Sequence, residues 1–237
     1  MRSLRSIILA SALVAPMFLS AGIANAAIIA GSSSGSFSNI TSCQGDNCRI
    51  SSGSQGSNTI VEWGYETGWY GDPGSTLTAM DRSWNQATNI NDLILAELVW
   101  TNRATSSNIT PDDFNVKYTL KINFTQPNAS GDTEAFNLNI LNSTNPPGDK
   151  LYGLTLTDLS NLSFSLNGVQ ISDLKYQLAG GDPGSFNGNY WYNPENKTSK
   201  MYITADFKTA EVPEPASLGL LAAGLFGFGF LRRRKGA

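Results

Sequence analysis

The sequence predicts an all-β fold, an antiparallel β-sandwich of jelly-roll-like type, and three observations predict it. Apolar residues alternate with polar ones over several stretches, which is the period of a strand with one buried face. Pro73, Pro111, Pro146, Pro147 and Pro183 stand between those stretches, among Gly, Asn and Asp, so turns separate them. Between the termini no long run shows the period of a helix. Many short strands punctuated by turns fit two packed sheets.

The first element is a signal helix. Met1–Arg5 carries two arginines, Ile7–Leu19 is largely apolar, and Ala24-Asn25-Ala26 places small residues where a signal peptidase reads. Residues 1–26 therefore read as a signal peptide that engages the export machinery. Residues 27–57 follow as a Gly/Ser-rich N-terminal segment, expected to be loops around at most one short strand. The β-sandwich is expected over 58–209. "TIVEW" and "LILAELVW" read as strands. "NVKYTLKINF" puts Val116, Tyr118, Leu120, Ile122 and Phe124 on one face, and "FNLNI" repeats the pattern with Phe136, Leu138 and Ile140. Leu162, Phe164 and Leu166 alternate into Asn167-Gly168, the pair preferred for a type I′ hairpin turn, and Val169, Ile171, Tyr176 and Leu178 lead away. "MYITADF" supplies the last strand.

The pentapeptide "GDPGS" occurs at Gly71–Ser75 and at Gly181–Ser185, where Pro-Gly suits the centre of a type II turn. Cys43 and Cys48 are the only cysteines, and export would place them where disulfides persist, so they are expected to pair. Residues 27–212 keep 10 of the 16 cationic and 18 of the 19 acidic side chains, a formal charge of −8. An acidic exported domain is a poor partner for nucleic acid.

The final element is a short oily run between a proline pair and a block of cations. Ser217–Leu231 carries no charge. As a helix it spans about 22 Å, against a hydrocarbon core of roughly 30 Å, a length that tilt and snorkelling arginines can accommodate. The expected transmembrane helix covers residues 216–231. Arg232, Arg233, Arg234 and Lys235 act as a stop-transfer block held in the cytoplasm, which leaves the body outside the inner membrane. In Val212-Pro213-Glu214-Pro215 each proline pushes its predecessor out of the α region, giving a stiff extended strip. Together, Pro-Glu-Pro, apolar helix and arginine cluster in 210–237 resemble the PEP-CTERM sorting tail. The resemblance implies recognition by an exosortase, a membrane-embedded transpeptidase-like enzyme, in a Gram-negative bacterium that makes extracellular polysaccharide. It also implies removal of the helix and delivery of the rest to the cell surface or extracellular matrix.

The body resembles the THxN family of PEP-CTERM proteins. The resemblance rests on "VEWG" at Val61–Gly64, on "LAELVWTNRA" and on the later "FSLNGVQISDLKYQL". The Thr-His-x-Asn signature falls on Val99, Trp100, Thr101 and Asn102, of which only Asn102 matches. A related choice-of-anchor domain competes. Such families are described by their sorting tail, so the resemblance implies no activity.

Histidine is absent, which removes Ser-His-Asp and Cys-His catalysis, histidine-bound zinc and the commonest general base. A histidine-free hydrolase would use two carboxylates, but Glu97, Asp112, Asp113 and Glu134 read as solvated charges. Neither a catalytic site nor a cofactor nor a metal is expected, and the Asp-bearing turns read as turns in preference to calcium loops. Aromatic residues cluster beside both "GDPGS" copies. Trp69, Tyr70, Tyr190, Trp191 and Tyr192 are candidate sugar-stacking rings, with core packing as the competing reading. The function expected is an exported, non-catalytic surface or matrix protein; the alternative is a carbohydrate-binding module acting on exopolysaccharide.

Overall fold

Two antiparallel sheets enclose one apolar core in the computed structural model, which describes residues 27–43, 48–53, 59–64, 74–104, 113–143 and 147–210. Strands are numbered along the chain. The seven-stranded sheet runs β11 (Ser185–Phe186), β12 (Tyr190–Asn193), β9 (Asp149–Tyr152), β8 (Ser130–Leu141), β7 (Asp113–Gln126), β1 (Ile28–Thr41) and β5 (Arg82–Ala87). The six-stranded sheet runs β10 (Val169–Leu178), β13 (Lys197–Thr209), β6 (Ile90–Asn102), β4 (Ser75–Met80), β3 (Thr59–Trp63) and β2 (Cys48–Ser52). The signal peptide and the sorting tail lie outside the described residues. Among the described residues no helix is long and apolar enough to cross a membrane.

Alternation forms these strands as expected. In β7 the buried residues Val116, Tyr118, Leu120, Ile122 and Phe124 face the core while Lys117, Thr119 and Lys121 face out. β3, β6, β8 and β13 fall where the sequence places strands. The connectivity departs from a jelly roll, because β2-β3-β4 and β7-β8-β9 are meanders within one sheet instead of crossing the sandwich at each step.

Residues 27–57 are the largest correction. They contain the 14-residue β1 and also β2, and β1 is an interior strand between β5 and β7, so the sandwich begins at Ile28 and not at 58. The small residues that resemble a loop are there because large neighbours leave no room. A Cβ on Gly31 would lie 2.4 Å from the Asn123 carbonyl and 2.9 Å from the Trp84 ring. One on Gly35 would meet Ala79 at 2.7 Å and Tyr118 at 2.9 Å.

The expected hairpin over Leu162–Leu178 is half correct. β10 is its second arm, but residues 162–166 form no ladder; the chain before them makes the short helix α1 (Leu156–Ser160), capped by Thr155. Residues 162–167 lie along the open edge of β8 and bond to side chains there. Ser163 N donates to Asp132 Oδ2 at 2.8 Å, Ser165 N to Ser130 Oγ at 3.1 Å and Asn167 N to Asn128 Oδ1 at 2.7 Å. The turn also differs. Gly168 has φ +70°, but Asn167 is not among the positive-φ residues, and type I′ needs both.

The second "GDPGS" turn differs in the same way. The left-handed residue is Gly181 (φ +74°), in the turn closed by Asp182 N to Ala179 O at 3.1 Å, and not Gly184 as a type II Pro-Gly turn requires. Gly184 is needed for close approach, since a Cβ there would lie 2.4 Å from Ser199 Oγ. Cys43 and Cys48 are joined by a disulfide with Cα atoms 6.1 Å apart, the pairing expected of an exported chain.

Candidate functional site

The aromatic residues singled out from sequence divide by strand parity. β12 presents Tyr190 and Tyr192 outward, while Trp191 and Asn193 point into the core with no exposure. Trp191 therefore cannot stack on a ligand. Its ring packs edge-on against Trp100 at 5.2 Å, and its Nε1 donates to Ser199 Oγ at 2.8 Å. Ser199 Oγ donates in turn to Asp182 Oδ1, which also accepts from Gly184 N at 2.7 Å. Trp69 and Tyr70 lie outside the described residues.

What sequence reasoning missed is the partner that register brings to Tyr190. Tyr190 pairs with Tyr152 of β9, Tyr152 with Asn139 of β8, and Asn139 with Asn115 of β7, so these four form one row across the outer face of the seven-stranded sheet. The two tyrosine rings lie 5.4 Å apart and tilted by 51°, and the Lys150 ammonium sits 4.9 Å from the centre of the Tyr190 ring. Asn139 Nδ2 donates to Asn115 Oδ1 at 3.1 Å. Tyr192 turns its hydroxyl to the Pro147 carbonyl. The signal was present in "DKLYG", where Lys150 and Tyr152 flank buried Leu151, but a four-residue strand has too little periodicity to reveal its faces.

Glu62, Asp92, Glu97 and Asp173 of the six-stranded sheet form ion pairs, while Lys197 and Lys208 of that sheet's β13 make none with a described residue. Glu97 of β6 is buried and pairs with Arg82 of β5 on the other sheet and with Lys200 of β13 at 3.5 Å, and Arg49 of β2 pairs with Glu62 of β3. Asp92, Asp173 and Asp206, on adjacent strands of the six-stranded sheet, bring their oxygens within 4.8 Å of one another. Lys175 already bonds Asp173 at 2.5 Å and Asp92 at 2.8 Å, which raises its own pKa and offsets one of the three carboxylate charges. On the seven-stranded face Lys117, Lys121 and Lys150 make no ion pair with any described residue. A cleft of about 340 Å³ lies elsewhere, between Leu162–Phe164 and Ile171–Leu174.

The carboxylates considered for catalysis are dispersed. Glu97 is in β6, Asp113 and Glu134 are in neighbouring strands of the other sheet, and Asp112 lies outside the described residues. A different pair is brought together where β9 and β12 begin and end. Asp149 pairs in register with Asn193, and Glu195 follows two residues later. Burial pushes the Asp149 carboxyl up to about 6, opposed by hydrogen bonds from Ser143 N at 2.8 Å and from Ser143 Oγ. Burial, then the Asp149 charge, pushes Glu195 up to about 7, with the Asn102 side chain working the other way. Among the described residues no hydrogen bond of normal geometry reaches either Glu195 oxygen. Asn102 and Asn193 lock the surroundings: Asn102 Nδ2 donates to the Asn193 carbonyl at 2.9 Å, and Asn193 Nδ2 to the Trp100 carbonyl at 2.9 Å. Neither Asp149 nor Asn193 has any exposure, so this cluster joins strands.

No part of this geometry identifies the chain; its carboxy terminus does so for sorting. Residues 211–235 match the PEP-CTERM protein-sorting motif. The PEP-CTERM match contains Pro213, Glu214, Pro215, the apolar run and the block Arg232–Lys235. A PEP-CTERM signal directs exosortase-dependent sorting of an exported protein through a membrane-anchored precursor. No curated protein and no solved structure matches the chain.

Proposed function

We propose that the chain is a non-catalytic component of the cell surface or extracellular matrix, exported by its N-terminal signal and freed from the inner membrane when an exosortase cleaves near Pro213–Pro215. The PEP-CTERM match over 211–235 carries this reading. The Cys43–Cys48 disulfide supports it, because such bonds persist outside the cytoplasm. The absence of histidine supports a non-catalytic body. We also read the body as THxN-like. Asn102, the one matching signature residue, is fully buried and hydrogen-bonded between strands, and Trp100 fills the histidine position as a core ring.

Mass spectrometry of protein released from cells tests the processing. Peptides from Ile28 to Lys208 are expected and none from Leu218–Leu231; an intact tail on released protein would refute the proposal.

A further inference from the structure

We propose that the outer face of the seven-stranded sheet binds an acidic polysaccharide, with Tyr152 and Tyr190 stacking on sugar rings and Lys150 pairing with ring carboxylates. Ring stacking needs flat apolar surface open to solvent with polar edges beside it. Tyr190 and Tyr152 provide that surface, half-exposed and 5.4 Å apart, and their row continues into the amides of Asn139 and Asn115. At the usual strand spacing this four-strand row covers about 14 Å, a track for an extended chain.

Charge chooses the class of glycan. Residues 27–212 carry a formal charge of −8, so a neutral or negative face is the expectation for any region picked at random. This face instead carries Lys117, Lys121 and Lys150 against one carboxylate, Asp113, at the start of β7. Arg49, Lys175 and Lys200 of the six-stranded sheet pair with carboxylates of that sheet, although its Lys197 and Lys208 do not; on the seven-stranded face none of the three lysines pairs with a described residue. The Lys150 ammonium beside the rings, with Lys117 and Lys121 farther along β7, leaves positive potential for an external anion. Lys150 is close enough to the Tyr190 ring to hold a carboxylate at the edge of a stacked sugar. Single-stranded nucleic acid is the other stacking polyanion; the side-chain amides of Asn139 and Asn115 in the same row suit the hydroxyls of a sugar chain, and the titration below separates the two.

The proposal rests on the export reading only for its biological setting, because binding is measured on purified protein wherever the cell sends it. Full-length protein is titrated with polygalacturonate, with dextran as the neutral chain and single-stranded DNA as the non-sugar polyanion. Polygalacturonate is expected to bind at least tenfold more tightly than either, and to weaken as salt rises. Tyr152→Ala with Tyr190→Ala, and separately Lys150→Glu, should each weaken it at least tenfold, while Lys208→Ala on the other sheet changes it less than twofold. Lys150→Glu alters a half-exposed ammonium that pairs with no described carboxylate, so the test stands even if the tyrosine variant unfolds. Absence of polygalacturonate binding, equal binding to dextran or DNA, or an affinity unmoved by Lys150→Glu would overturn the proposal.

Discussion

Trp191 donates its only polar hydrogen to Ser199, out of reach of water. A buried donor that loses its acceptor costs about 1–3 kcal/mol. Ser199→Ala should therefore destabilise the protein by about 2 kcal/mol in urea unfolding, and Ser199→Thr, which keeps the hydroxyl, by less. The Asp149–Glu195 pair makes a separate prediction. Both carboxyls have folded pKa values, about 6 and about 7, above their ordinary values of 3.8 and 4.5. The native state thus holds protons that the unfolded chain has released, so stability is greatest at low pH and is lost as pH rises through 6 to 7. For fully buried Asp149 the effect is at most about 3 kcal/mol. Glu195→Gln should raise the melting temperature at pH 8 and leave it unchanged near pH 4. Equal effects at both would show that ionisation is not the cause.

At the scale of elements, the open edge of β8 is closed by residues 162–167 through side-chain acceptors and not through a second ladder. Unpaired strand edges invite pairing with other chains. Asn128 both accepts from Asn167 N and donates to the Ser165 carbonyl at 3.0 Å. Asn128→Ala should speed hydrogen exchange at Asn167 and cost about 1 kcal/mol, with exchange in β7 unaffected. In β1 the controlling residues are glycines. Gly31→Ala forces a methyl against a backbone carbonyl that cannot yield, and overpacking of that kind costs about 1–3 kcal/mol. Calorimetry should show a larger loss for Gly31→Ala than for Gly168→Ala, whose Cβ would meet nothing within 4 Å and whose cost is limited to its left-handed φ of +70°.

For the whole molecule, the sorting motif follows a sandwich with unequal outer faces: ion pairs gather on the six-stranded sheet, and the seven-stranded face leaves lysines and tyrosines half-exposed. Destination and ligand binding are therefore separable. Deleting Arg232–Lys235 should abolish stop-transfer, so that cell fractionation finds the chain with its apolar run intact outside the inner membrane. Unchanged processing after that deletion would remove the arginine block from the sorting signal. The sandwich, whose described buried core runs from Ile29 to Phe207, should keep its melting temperature.

Patterning along the chain by itself determined β3, β6, β7, β8 and β13, because a strand with one buried face writes its period into consecutive residues. It also determined the disulfide, which needs only two nearby cysteines, and the sorting motif, which is read as linear sequence. Tertiary structure alone decided the rest. β1 is a strand because β5 and β7 pair with its two edges, its glycines making room for Trp84 and Tyr118, and residues 162–166 are not one because β8 offers them side chains. Register placed Trp191 inside and Tyr152 beside Tyr190, and it set Asp149 against Asn193 with Glu195 close by. Each of these depends on which strand lies next to which, a choice made by the packing of the whole core and not by any short run of residues.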